Sequence, residues 1–372
     1  MVQSTWIALD VHARSVAGAA LEGGSGELVR ASLSADTDAI VRWVCAFPGE
    51  LHAVYEAGPT GFVLARALLA AGVAVTVCAP SETPQPARRS QKSDPRDAEH
   101  LVRQLIAGAL TAVAIPTVEQ EAARELVRLR DVARQQLTDV RLRITALLLR
   151  HGHRWDQTTW TRAHRGWIGT RVFASPLSRV VLDHLLVELD ARIAHRDALT
   201  AEIGRVSQTP PFRETVSRLV CLRGFDVHTA FTLTVEIGDW TRFRHPASVA
   251  NYLGVTPSLD QSGARRVQGA ITKSGSALAR RTLIEAAQTC RRAPSSSLRL
   301  AARQSGQSEA LISVALRAQR RTHDVYTRLR DRGKPDQVAI VAAARELACF
   351  CWAIIHLDTT PPSATPPIMG EA

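Results

Sequence analysis

Residues 5–34 read TWIALDVHARSVAGAALEGGSGELVRASLS, and their pattern decides the fold of the N-terminal third. The run at 6–11 is β-prone, and 15–22 and 27–33 follow as its hairpin partners around Gly23, Gly24 and Gly26, glycine being the residue that tolerates the positive φ of tight turns. Working outward, a helical pattern at 36–47, a strand at 51–55, a helix at 60–71 and a strand at 73–78 alternate, as they do in α/β domains. The segment 81–93 mixes prolines with Arg88, Arg89 and Lys92 and has few apolar residues, which predicts a loop. A helix is expected to start near Asp94.

Three consecutive antiparallel strands followed by alternating helices and strands give the element order of a ribonuclease-H-like α/β sheet. The whole chain has 372 residues, 45% hydrophobic and 22% charged, enough for two or three folding units and unlike a disordered or collagen-like chain. Its 46 basic against 35 acidic residues give a net charge of +11, and only Lys92, Lys273 and Lys334 of the basic set are lysines. Guanidinium forks grip phosphate oxygens in pairs, so the arginine surplus favours a nucleic-acid partner. The six cysteines, Cys45, Cys78, Cys221, Cys290, Cys349 and Cys351, show no repeated metal-ligand spacing, which predicts buried free thiols in a reducing compartment. The apolar stretch near the C-terminus is interrupted by Arg345 and Glu346, which falls short of the ~20 residues a membrane span needs. The chain reads as cytoplasmic, with no membrane partner.

Beyond residue 115 the sequence turns helical. Apolar residues at Leu126, Leu129, Ala133, Leu137, Val140, Ile144 and Leu147 form a heptad seam with one stutter, and a second run at 176–206 repeats it at Leu182, Leu185, Leu189 and Ile193. The two predict either an antiparallel coiled-coil stalk or two helices of an ordinary bundle. Their connector, 150–171, holds Trp155, Trp160 and Trp167 among five arginines and three histidines; the indoles either stack on unpaired bases or cap the stalk. His151 and His153 have no nearby Cys or further ligand and do not read as a zinc site. An all-helical region is expected from 213 to 357, and a disordered tail after it. The division expected is 1–115, 116–210, 211–357 and 358–372.

Four acids stand where chemistry can use them: Asp10 ending the first strand (WIALDVH), Glu56 ending another (AVYEAGPTGF), and Asp94 and Asp97 in KSDPRDAEHL. Strand ends converge on one sheet edge, and residues three apart share a helix face. Two carboxylates about 4 Å apart repel by about 4 kcal/mol at an effective dielectric of 20. Such a cluster therefore calls for divalent cations, Mg2+ above all or Mn2+. Alone, Asp94 reads equally as a helix N-cap before Pro95, and Glu56 as a loop residue. In the C-terminal region a Gly-Val-x-Pro turn precedes a polar loop centred on Ser262-Gly263, the pair Arg265-Arg266, a short β-prone QGAIT, and a helix opened by Lys273-Ser274-Gly275. A hydroxyl before a glycine, beside arginines, is placed to meet a phosphate or is simply a solvated turn, as serine-glycine loops with basic neighbours commonly are. Upstream, LRGFD between two helices is expected to lay backbone amides on DNA phosphate or simply to pack.

With these residues in order (ALDVH, YEAGPTGF, KSDPRDAEHL, LRGFD, EIGD, YLGVTPS, QSG, GAITKSGSALARRTLIEAA and VAIVAAAREL) the chain resembles the insertion-sequence-110 family of DEDD transposases over nearly its whole length. The resemblance implies a RuvC-like domain of ribonuclease-H fold, a helical coiled-coil linker and a mainly α C-terminal transposase domain. It implies that Asp10, Glu56, Asp94 and Asp97 hold the metal and that Ser262 attacks the DNA. Gln261 stands where family members often carry a first serine, and Arg223-Gly224-Phe225-Asp226 departs from the commoner Pro-Gly-x-Gly. The partners implied are double-stranded donor and target DNA, a structured noncoding guide RNA, and further copies of the chain as a homodimer or homotetramer. Arg88, Arg89, Lys92, Arg265, Arg266 and Lys273 are the expected nucleic-acid contacts. Two rival expectations are a metal-dependent nuclease or junction resolvase that uses water, and an inactive nucleic-acid-binding protein.

Overall fold

The computed structural model describes residues 3–80, 94–262 and 265–357, and the side chains of all of these except 94–96 and 259–268. The predicted loop at 81–93, with Arg88, Arg89 and Lys92, and the predicted tail at 358–372 lie outside the described residues. The chain divides into two compact units, Met1–Thr117 and Val118–Ala372.

The first unit runs β1 (Ser4–Val11), β2 (Ser15–Glu22), β3 (Leu28–Ser34), α1 (Thr37–Cys45), β4 (Glu50–Glu56), α2 (Val63–Ala70), β5 (Ala74–Cys78) and α3 (Asp94–Ile106). The strands form one sheet in the order β3-β2-β1-β4-β5, with β1 antiparallel to β2 and parallel to β4. β1 is central and its Ile7, Ala8 and Leu9 are fully buried, because both sheet faces are covered and the strand needs apolar residues on each. Ile7, Leu9, Ala53 and Tyr55 pack with Ile40 and Val44 of α1 and Leu64, Ala65 and Leu68 of α2. The opposite face, with Ala8, Ala19, Val54 and Cys78, packs under Ala98, Leu101 and Val102 of α3. α1 starts where Asp36 accepts a hydrogen bond from the Ala39 amide at 2.7 Å, an N-cap that satisfies a helix-end donor. Gly18 of β2 leaves room for the Trp43 indole, whose ring would stand 2.8 Å from a Cβ there.

The second unit contains α4 (Val118–Arg150), α5 (Arg162–Gly169), α6 (Pro176–Val206), α7 (Arg213–Leu219), α8 (Val227–Ile237), α9 (Pro246–Tyr252), β6 (Pro257–Ser262), β7 (Arg265–Ile271), α10 (Ala277–Ala287), α11 (Leu298–Gln304), α12 (Glu309–Asp331) and α13 (Asp336–Ile355). The hairpin β6–β7 corrects the expectation of an all-helical region from 213 to 357. Leu137, Val140, Ile144 and Leu147 of α4 meet Leu182 and Leu189 of α6 in one core. Leu129 does not belong to that seam. It is 48% exposed, and Arg130, four residues after Leu126 and three before Ala133, takes the place, its Nε 3.3 Å from the Thr200 hydroxyl. The start of α4 joins another core, where Ala123 and Val127 pack with Ile203, Val216, Phe231 and the residues of α13.

Arginines fasten α4 to the C-terminal end of α8. Arg124 Nε donates to the Val235 carbonyl at 2.6 Å, and Arg128 grips the Glu236 carboxylate through Nε at 2.8 Å and Nη2 at 3.0 Å. Cations belong at a helix C-terminus, where the last carbonyls lack partners.

α13 corrects the reading of the C-terminal stretch. Within its 20 residues an 18-residue window, Arg345 and Glu346 included, reaches a mean hydropathy of 2.0, so the helix is long and apolar enough to cross a membrane. Packing accounts for that composition: Ala339, Ile340, Ala343, Ala344, Leu347, Ala348, Cys351 and Ile354 are buried in the unit's core, and Arg321 pairs with Glu346 at 2.9 Å. All six cysteines are free. Burial pushes the Cys221, Cys290 and Cys349 thiols up to about 11 and that of Cys351 higher still, so these four stay protonated and inert. Cys45, expected buried, is exposed.

Candidate functional site

In the first unit the register pairs Leu9 of β1 with Tyr55 of β4, and Glu56 with Cys78 of β5. One residue further along each strand, Asp10 and Glu56 stand side by side on neighbouring parallel strands, about 4.8 Å apart in backbone spacing. Side chains alternate along a strand, so both carboxylates fall on the face of Ala8, Val54 and Cys78, the face that α3 covers. Asp94 and Asp97 are the first and fourth residues of α3. Asp97 is exposed and precedes the buried Ala98. Two strand ends and one helix start thus bring Asp10, Glu56 and Asp97 to the same side of the sheet, while the Asp94 side chain lies outside the described residues.

Their electrostatic setting differs from that of a neighbouring acid. Glu99, two residues after Asp97, is held by Arg30 at 2.6 Å and Arg103 at 2.7 Å, and the Arg30 hydrogen bond keeps its carboxyl below the usual range. Among the described residues no guanidinium reaches Asp10, Glu56 or Asp97. Asp10 Oδ2 lies 3.2 Å from His12 Nε2, a partner that sequence reasoning missed although the DVH spelling contained it. Among the described residues no three His, Cys, Asp or Glu side chains form a ready-made metal cage. The donor set nevertheless fits a hard divalent cation: carboxylate oxygens on adjoining strand ends, without competing arginines among the described residues.

In the second unit Ser262 ends β6 and is in register with Arg265, the first residue of β7, with two residues between them. The polar loop expected around Ser262 is therefore the tip of a hairpin, whose backbone pairing also joins Gln261 to Arg266. The side chains of Ser262, Arg265 and Arg266 lie outside the described ones. The hairpin is held at its base: the Lys273 amide donates to the Gly254 carbonyl at 3.1 Å, Ser274 Oγ donates to the Asn251 carbonyl at 2.9 Å, and Arg280 Nη1 donates to the Ser274 carbonyl at 2.8 Å. Lys273 does not open a helix. It sits in the left-handed region at φ 57°, exposed, and α10 starts after Ser276, whose Oγ accepts from the Ala279 amide at 3.2 Å. Gly254 has φ 64°, and a Cβ there would lie 2.4 Å from the Ser274 amide nitrogen. Gly254→Ala is expected to cost about 2 kcal/mol through backbone strain, read as a lower thermal midpoint.

The LRGFD turn between α7 and α8 packs inward. Phe225 is fully buried, a Cβ on Gly224 would strike the Ala286 carbonyl at 2.3 Å, and the Asp226 carboxylate already accepts from the Thr229 amide at 2.7 Å. That carboxylate occupies the helix start, so of the two expectations for this turn the structure shows the packing one.

A sheet of this order is that of ribonuclease-H-like α/β domains, and the similarities to known proteins make the chain a DNA transposase. Residues 7–152 match the DEDD transposases of the IS110 group, and residues 216–303 match the family described as transposase IS116/IS110/IS902. The chain is 35% identical to y4qE of Sinorhizobium fredii, a protein named as a transposase, over 81% of this chain and 74% of that one. It is 26% identical to the transposase for insertion sequence element IS1533 of Leptospira borgpetersenii, over 90% of this chain and 99% of that one. With the transposase for IS1111A of Coxiella burnetii it shares 24% identity over 60% and 61% of the two chains. The chain belongs to the IS110 family of insertion-sequence transposases, and its first unit is a ribonuclease-H-like α/β domain.

Proposed function

We propose that the chain exchanges DNA strands under the guidance of a structured RNA, with carboxylates and a serine sharing the chemistry. The observation that supports the carboxylate half of this reading is the register of β1 and β4, from which Asp10 and Glu56 fall side by side on the α3 side of the sheet. Asp10, Glu56, Asp94 and Asp97 would hold Mg2+ or Mn2+. Bound there, the ion supplies a Lewis acid for the scissile phosphate and lets the carboxylates share one site. Ser262 Oγ forms a bond to phosphorus as one P–O ester bond of the DNA breaks, and the departing deoxyribose oxygen takes up a proton. In the second transfer a strand-end hydroxyl attacks the phosphoserine and Ser262 leaves. The ester bond energy is kept in the covalent link, so rejoining needs no nucleotide cofactor.

Arg265, Arg266 and Lys273 would neutralise charge that builds on the phosphate, and Arg88, Arg89 and Lys92 would hold nucleic-acid backbone. The functional division is a RuvC-like domain at 1–115, a coiled-coil linker at 116–210 built on α4 and α6, and a transposase domain at 211–357. The chain works as a homodimer or homotetramer in the cytoplasm. Guide RNA would assign sequence by base pairing while the protein reads shape and phosphate.

The test is strand exchange between donor and target duplexes, with and without RNA co-expressed from the element. The expected result is exchange only with RNA, redirected when the pairing loops are changed. Exchange that ignores the RNA contradicts the guided reading.

A further inference from the structure

Along α4 and α6 the arginines are largely neutralised by acids. Arg134 pairs with Asp131 at 2.8 Å, Arg143 with Glu188 at 3.2 Å, Arg179 with Asp183 at 2.8 Å and Arg205 with Glu202 at 2.5 Å. The connector at one end of this helix pair, residues 150–171, is different. It holds five arginines against the single acid Asp156. Arg150, Arg154 and Arg162 are exposed and, among the described residues, paired with no carboxylate.

The aromatic side chains of the same connector pack against one another and against arginines. His164 is buried and sits at its centre, 5.3 Å from the Trp155 ring, 5.3 Å from Trp160 and 5.8 Å from Trp167. Its Nδ1 accepts from the Trp160 amide at 2.8 Å. Arg171 lies over Trp167 at 4.6 Å and Arg141 over Trp160 at 5.2 Å. The indoles cap the helix pair, pack around His164 and carry arginines over Trp160 and Trp167, which occupies much of the surface that unpaired bases would stack on. What remains for a partner is a set of free guanidinium groups on a rigid aromatic base, and such groups suit phosphate oxygens.

We infer that this stalk tip binds the phosphate backbone of duplex DNA, through Arg150, Arg154 and Arg162. Duplex DNA presents about one charge per 1.7 Å of axis, and neutralising its phosphates releases condensed counterions. DNA is the source because the chain is a transposase. The inference rests on that family membership and not on the serine or the guide RNA.

The test uses the full chain and equilibrium binding to a mixed-sequence DNA duplex, followed by fluorescence anisotropy across salt concentrations. The variant Arg150→Gln/Arg154→Gln/Arg162→Gln is expected to flatten the slope of log K against log salt by about 2 to 3, near 0.9 for each lost phosphate contact, and to weaken binding about tenfold. Arg162→Gln alone is expected to flatten it by about 1, which serves if the triple variant folds poorly. Arg179→Gln/Arg205→Gln, at paired arginines, is expected to leave the slope unchanged. An unchanged slope in the triple variant overturns the inference, as does an equal or larger loss on an RNA duplex or on single-stranded DNA. Either failure leaves the chemistry at Ser262 untouched, since no strand exchange is read.

Discussion

Asp10→Asn is expected to lower strand exchange by at least about a thousandfold, ~4 kcal/mol of barrier, with the thermal midpoint nearly unchanged. The burial of β1 is carried by Ile7, Ala8 and Leu9, whereas Asp10 sits at the strand end with its side chain 27% exposed. Asn keeps the shape and one oxygen donor but loses the charge that a hard cation requires. The control lies on α3: Glu99→Gln removes an acid already spent on Arg30 and Arg103. It should leave exchange within about twofold and cost no more than about 1 kcal/mol, as exposed ion pairs do. Exchange rates measured for both variants on the same DNA substrates check the contrast. Comparable rates for Asp10→Asn and the unmodified chain would remove Asp10 from the site.

Arg128→Ala is expected to lower unfolding free energy by about 3 kcal/mol near neutral pH, more than Glu236→Gln does. The asymmetry comes from burial. The Glu236 side chain is 2% exposed and that of Arg128 58% exposed, so losing the carboxylate lets Arg128 swing into water, while losing the guanidinium strands a charge in the core. Urea denaturation of both variants at neutral pH checks the asymmetry. A loss for Arg128→Ala no larger than that for Glu236→Gln would mean that Glu236 finds another partner.

The β1–β3 meander was legible because Gly23, Gly24 and Gly26 punctuate alternating residues, and α6 because Ser175 and Pro176 give it a cap and a first turn. α4 was legible in extent, since its periodic apolar residues run without a breaker from Val118 to Arg150. Leu129 misled because residue type stood in for position, and Arg130 holds the seam through its long stem. Of the β6–β7 hairpin only the β-prone QGAIT at the end of β7 was legible, because SLDQSGARRV has no apolar alternation to announce strands. Lys273-Ser274-Gly275 imitated a helix start whose true cap, Ser276, lies just beyond. For the candidate site, the order of the acids was in the sequence, but the adjacency of Asp10 and Glu56 depends on the parallel pairing of β1 with β4 across a crossover. The clamp on Glu99 depends on Arg30, 69 residues away. Long-range pairings of this kind leave no local mark.

The most direct measurement is to quench the full reaction of protein, co-expressed RNA, Mg2+ and both DNA duplexes, digest DNA and protein, and weigh the peptide that contains Ser262. A nucleotide mass on Ser262, absent from the Ser262→Ala and Asp10→Asn proteins, is the predicted result. Cut DNA with free ends, no modified peptide, and undiminished cleavage by Ser262→Ala would contradict the account and leave water as the attacking group.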